Sequence, residues 1–170
     1  LLFPLFFGLL LLFYHKIRYN ATVAIQLFHA GEDGTMEQTK QAAVGCVIMA
    51  SGRAVRFGSN KLLADFGGAP LIARALDAAE TPALAARVVV TRSPEVAAIA
   101  READVKAILH SLPGRNDTVR LGLEALLSEL PGLAGCIFLP GDQPLLRKES
   151  LEAMVRDLSA LDEKERAILR

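Results

Sequence analysis

Residues 44–61 read Val44-Gly45-Cys46-Val47-Ile48-Met49-Ala50-Ser51-Gly52-Arg53-Ala54-Val55-Arg56-Phe57-Gly58-Ser59-Asn60-Lys61. An apolar, partly β-branched run passes directly into a loop of small residues that carries cations. Small side chains at Ala50, Ser51 and Gly52 let a ligand approach the backbone, whose N–H groups then bond phosphates or base edges. Arg56 and Lys61 add positive charge. The segment reads as a strand that delivers a nucleotide-binding loop.

Outward from this loop the same grammar repeats. Runs at 44–49, 87–91, 105–109 and 135–139 are apolar and strand-like, and the segments between them have helical spacing. Pro70 precedes a stripe of Leu71, Ile72, Ala75, Leu76 and Ala79, and Ser93-Pro94-Glu95 supplies a cap, a first-position proline and an acid for the next helix. A third helix is expected to begin near Asp117 or Thr118, with Val119, Leu123, Leu126, Leu127 and Leu130 on its apolar face, and to stop at Pro131-Gly132. A fourth is expected from 149 to about 158.

Continuous apolar strands linked by helices predict an α/β domain: a mostly parallel sheet covered on both faces, with ligands at the carboxyl ends of the strands. The last strand runs into Pro140-Gly141-Asp142-Gln143-Pro144, which puts a carboxylate at such an end. A carboxylate beside phosphates points to Mg²⁺. If the strands at 44–49 and 135–139 are neighbours, the two loops face one crevice.

With 170 residues, 52% of them hydrophobic, the chain can bury the core of one domain. Lys plus Arg and Asp plus Glu both number 19, so no bulk charge draws it to nucleic acid or an anionic membrane, and neither partner is expected. Cys46 and Cys136 lie in strand-like runs without metal-site spacing, which predicts buried, reduced thiols and a cytoplasmic protein. Residues 1–14 form an apolar run followed by His15, Lys16 and Arg18. The run is shorter than the roughly 20 residues of a membrane-spanning helix, and its charge follows the apolar stretch where a signal peptide's precedes it. Residues 1–35 are therefore expected to lie outside the functional domain, taken as 36–170; the tail of a membrane anchor is the alternative.

The loop fits neither of two familiar nucleotide grammars. A dinucleotide fingerprint needs G-x-G-x-x-G, and a P-loop needs Lys directly after its second glycine. Here Gly52 and Gly58 enclose five residues, and Lys61 comes later. The string Met49-Ala50-Ser51-Gly52-x-x-x-Arg56-Phe57-Gly58-x-x-Lys61 instead resembles the opening signature of sugar-nucleotide and molybdenum-cofactor nucleotidyltransferases. The likeness continues in Lys61-Leu62-Leu63, Gly68-Ala69-Pro70-Leu71, Arg120-Leu121-Gly122-Leu123 and, most specifically, Gly141-Asp142-Gln143-Pro144. It covers about residues 44–158 and is nearest to the MobA-like NTP transferases, among them the molybdenum cofactor cytidylyltransferases.

That resemblance implies a three-layer, Rossmann-like nucleotidyltransferase fold, here truncated at its C-terminus. It implies that Ala50, Ser51 and Gly52 wrap base and phosphates, that Arg56 and Lys61 bind the triphosphate, and that Asp142 holds Mg²⁺; Arg56, Lys61 and Asp142 are the expected catalytic set. The loop 110–118 corresponds to a base-contacting segment, where Asn116 and Asp117 either read a pyrimidine edge or cap the following helix. His110 is expected to be structural. The implied reaction is transfer of CMP from CTP to a molybdopterin-type molybdenum cofactor, with pyrophosphate released. The guanylyl enzymes of the family usually have a second glycine in the loop where this chain has Ser51, so CTP is favoured over GTP.

Two residues depart from the pattern: Ala54 stands where Ser is frequent, and Ala69 where Lys is. Family members also run further, with another metal-binding Asp and strands that complete the acceptor pocket. The alternative expectations are guanylyl transfer, or a non-catalytic nucleotide-binding fragment that docks to molybdenum enzymes.

Overall fold

The computed structural model describes residues 13–16, 22–27, 43–52 and 60–160. Its strands are β1 (Phe13–Lys16), β2 (Thr22–Leu27), β3 (Val44–Ala50), β4 (Ala86–Thr91), β5 (Lys106–Leu109) and β6 (Gly135–Pro140). The helices are α1 (Leu71–Ala79), α2 (Pro94–Glu102), α3 (Arg115–Glu129) and α4 (Lys148–Ala160), with a single 3₁₀ turn at Lys61–Leu63. One sheet has the order β1-β2-β6-β3-β4-β5. Strands β6, β3, β4 and β5 are parallel, and β2 adds to β6 antiparallel. The mostly parallel α/β architecture expected from the sequence is the one observed.

Strands β3 and β6 are neighbours, with Met49 opposite Pro140, so the two loops expected to share a crevice leave the sheet side by side. Alternate residues of the central strands feed two apolar layers. Val44, Cys46, Ile48, Val89, Ile137 and Leu139 pack with α1, α2 and α4 on one face. Val47, Val88, Val90, Cys136 and Phe138 pack with Leu126 of α3 on the other. Both cysteines are buried free thiols, and burial pushes the Cys46 thiol up to about 12.

Helix α2 starts as expected, with the Ser93 hydroxyl accepting from the Val96 N–H and Pro94 in the first turn. Helix α3 starts earlier than expected, at Arg115. The Asp117 carboxylate reaches back to accept the Gly114 N–H at 2.9 Å, so the residue expected to open the helix lies inside its first turn. The apolar face of α3 also differs. Leu126 is fully buried, whereas Leu127, expected in the same stripe, is 37% exposed.

The sheet includes two strands from within residues 1–35, the segment expected to stand outside the domain. The sequence carries a local signal for the second. Thr22-Val23-Ala24-Ile25-Gln26-Leu27 alternates branched or large apolar residues with small or polar ones, the pattern of a strand. No helix of the described residues is long and apolar enough to cross a membrane.

Candidate active site

The site forms where β3, β4 and β6 end. Gly141 donates its N–H to the Met49 carbonyl at 3.0 Å, which holds the two loops together. A Cβ at position 141 would stand 2.9 Å from Ile72 Cδ1 and 3.3 Å from the Met49 oxygen, so glycine permits this approach. Asp142 follows at once. The 3₁₀ turn presents Lys61, and Asn60 fixes the turn by accepting the Leu62 N–H on its side-chain oxygen. Lys61 Nζ donates to Asp142 Oδ2 at 3.3 Å across the crevice. Both side chains are more than 40% exposed, so the pair contributes at most about 1 kcal/mol to stability. Its significance lies in placement: a cation and a carboxylate distant in sequence meet at the carboxyl ends of the parallel strands.

Asp142 projects its carboxylate from this exposed position, and among the described residues no cluster of three or more His, Cys, Asp or Glu side chains could hold a metal ion. Asp142 contributes one carboxylate, and a divalent cation such as Mg²⁺ is commonly held by one or two carboxylates, with waters and substrate phosphates in its other positions.

Ser51 is buried and its hydroxyl is committed. It donates to the Val90 carbonyl at 3.0 Å and lies 2.7 Å from His110 Nε2. Because the carbonyl can only accept, the single hydroxyl proton points to Val90, and His110 must donate from Nε2 to Ser51 Oγ. Nδ1 then carries the lone pair, buried and without a hydrogen-bond partner. Charging the ring would put a proton there with no acceptor. Desolvation first, and the nearby Arg92 second, accordingly hold the His110 pKa below the usual histidine value. A histidine expected to be merely structural thus braces the candidate nucleotide loop.

This has a consequence for stability. Between the folded pKa and the unfolded value of about 6.5, the unfolded chain binds more protons than the folded one, so acidification favours unfolding. The urea midpoint of the wild-type chain is expected to fall as pH drops below about 6.5, more steeply than that of His110→Gln, and to level off above it. Equal slopes for the two proteins would contradict this.

Ala50 is buried at the end of β3, where its carbonyl accepts from the Thr91 hydroxyl at 3.0 Å; Gly52 is exposed just beyond. Asn116 is exposed on the first turn of α3, and Asp117 caps that helix while lying 3.8 Å from Arg120. Arg56 lies outside the described residues.

The sequence reading missed Arg92. Its Nε donates to the Leu112 carbonyl at 2.8 Å, Nη1 to the Ser51 carbonyl at 2.6 Å, and Nη2 to Leu112 and to Gly114 at 3.4 Å. Its only signal was a cation directly after a parallel strand's carboxyl end.

The MobA-like NTP transferase domain matches residues 46–169. Among curated proteins, the 3-deoxy-manno-octulosonate cytidylyltransferase of Polynucleobacter asymbioticus is 32% identical over 108 residues, 61% of this chain and 42% of that protein. A protein named as a probable molybdenum cofactor guanylyltransferase, from Pyrococcus horikoshii, is 28% identical over 112 residues, 66% of this chain and 55% of that protein. The chain therefore spans about half the length of these relatives. Among solved structures, Rv0371c of Mycobacterium tuberculosis superposes with a TM-score of 0.60 at 20% identity, over 71% of this chain and 63% of that one. A second structure of it, in complex with manganese, gives a TM-score of 0.56 at 18% identity, over 70% and 61%. These two likenesses concern the fold. With the family match running from β3 to beyond α4, the chain belongs to the MobA-like NTP transferase family.

Proposed function

We propose that this chain is a cytidylyltransferase that moves CMP from CTP to a molybdopterin-type molybdenum cofactor. The observation that carries the reading is the meeting of Lys61 and Asp142 across the β3–β6 crevice. In the reaction, a phosphate oxygen of the acceptor attacks the α-phosphorus. A new P–O bond forms as the bond to the β-phosphate bridging oxygen breaks, and pyrophosphate leaves with that electron pair. Two anions must approach and a third must depart, so positioning and neutralisation of charge do the catalytic work, with no covalent nucleophile on the protein.

Each residue has a role in that scheme. Lys61 neutralises the triphosphate together with Arg56, and Ala50, Ser51 and Gly52 offer backbone to base and phosphates. Asp142 holds Mg²⁺, which when bound spreads the charge that builds between the α-phosphate and the leaving group. Lys61 must exchange Asp142 for phosphate as the nucleotide enters. Asn116 stands at the mouth of the base-side loop, and Asp117 fixes the start of α3 that supports it.

Preference for CTP is supported by serine at position 51, where the resembled guanylyl enzymes usually carry glycine, and by the cytidylyltransferase names among the relatives. GMP transfer is the second reading, favoured by the guanylyltransferase name of one relative. The test is pyrophosphate release from CTP and from GTP, each with molybdopterin and with 3-deoxy-manno-octulosonate as acceptor. Release from CTP with molybdopterin supports the proposal. Release from GTP alone supports the second reading, release only with the sugar acid moves the acceptor to that class, and no release in any pairing rejects catalysis by this chain.

A further inference from the structure

We propose that Arg92 is the positioning residue that sets the shape of the nucleotide crevice, by tying the end of β3 to the loop that follows β5. This rests on the nucleotidyltransferase reading of the same site. Residues 110–114 have no helix or strand to satisfy their backbone groups, so the loop needs other partners to hold one conformation. Its Leu112 and Gly114 carbonyls bond the Arg92 guanidinium, which also donates to the Ser51 carbonyl, just past the end of β3, at 2.6 Å.

Two further bonds run the same way. His110 donates from its ring to Ser51 Oγ, and the His110 N–H donates to the Thr91 carbonyl at 3.0 Å. The candidate phosphate loop and the candidate base loop are thus joined through β4, and Arg92 supplies the link to the loop's distal half. The planar guanidinium presents its donors in a fixed fork, so one side chain reaches three carbonyls at once; a lysine ammonium on a flexible stem does not reproduce that geometry. Because Arg92 spends these donors on backbone, its effect on a nucleotide comes through where it holds the loop that meets the base.

The role predicts a split that a general loss of structure does not. Arg92→Met and Arg92→Lys are compared with the wild-type chain by calorimetry, with CTP and with inorganic triphosphate as probes, each with Mg²⁺, and by amide exchange of residues 110–114 without ligand. The expected result is CTP binding weakened about tenfold or more in both variants, triphosphate binding within about twofold of wild type, and faster exchange confined to the loop. Unchanged CTP binding in Arg92→Met, or a parallel loss of CTP and triphosphate, overturns the proposal while leaving the nucleotide reading in place. Failure of the wild-type chain to bind either probe rejects the nucleotide reading, and this proposal with it.

Discussion

Replacing Asp142 by alanine is expected to lower pyrophosphate release from CTP about 10²–10³-fold, the range lost when a charge-stabilising group is removed from a reacting centre. Nucleotide affinity is expected to change far less, because the loss falls on charge that develops as the α-phosphorus is attacked. The structure also predicts an opposite effect without metal. Asp142 pairs with Lys61 at 3.3 Å, so the ammonium must leave that carboxylate to meet a phosphate. In Asp142→Ala, metal-free triphosphate should bind as tightly as in wild type or slightly more so.

Stability separates this effect from unfolding. Both members of the pair are well exposed, so the thermal midpoint should stay close to the wild-type value. Asp142→Asn keeps the shape and removes the charge. Near-normal turnover in that variant would remove Asp142 from the chemistry, and a large drop in thermal midpoint would show that the pair was structural.

Gly122→Ala is expected to destabilise the chain by about 1–3 kcal/mol, measured as a lower urea midpoint at unchanged slope. In an exposed helix the same change would gain up to about 1 kcal/mol from helix propensity, so the sign is decided by packing. A Cβ at position 122 would lie 2.4 and 2.8 Å from the two methyl groups of Val47 and 3.1 Å from a methyl of Val90. Both valines are fully buried in β3 and β4, with no solvent side to yield toward. Helix α3 must therefore lift from the sheet. Its first turn is joined to the 110–114 loop, so that loop should shift with it. Val47→Ala in the Gly122→Ala background should recover part of the loss; strictly additive effects would show that another contact sets the cost.

Much of this was legible in the sequence because it depends on local periodicity and capping. The four parallel strands announce themselves as apolar runs, and Ser93-Pro94-Glu95 opens a helix by its own chemistry. Asp117 was readable as a cap, but not as one that acts backward on Gly114, because that choice depends on where the preceding loop runs. The alternation at 22–27 is present in the sequence, but which strand it pairs with is not a local property. Its partner, β6, lies far along the chain.

Pairs distant in sequence and joined by single hydrogen bonds were not legible. His110 has no catalytic neighbour in sequence and reads as structural, but which group it supports, Ser51, is decided only by the sheet. Arg92 looked like a solvated cation after a strand, because no pattern within a few residues says that three carbonyls from two other segments converge on it.

The sequence by itself determined the α/β rhythm, the small-residue loop after β3 and the carboxylate after β6, since each follows from side-chain size, charge and periodicity over a few residues. Only the tertiary structure decided that Lys61 meets Asp142 and that Arg92 and His110 brace the crevice. Those contacts depend on the order of strands in the sheet, an outcome of competing long-range pairings that no local stretch encodes.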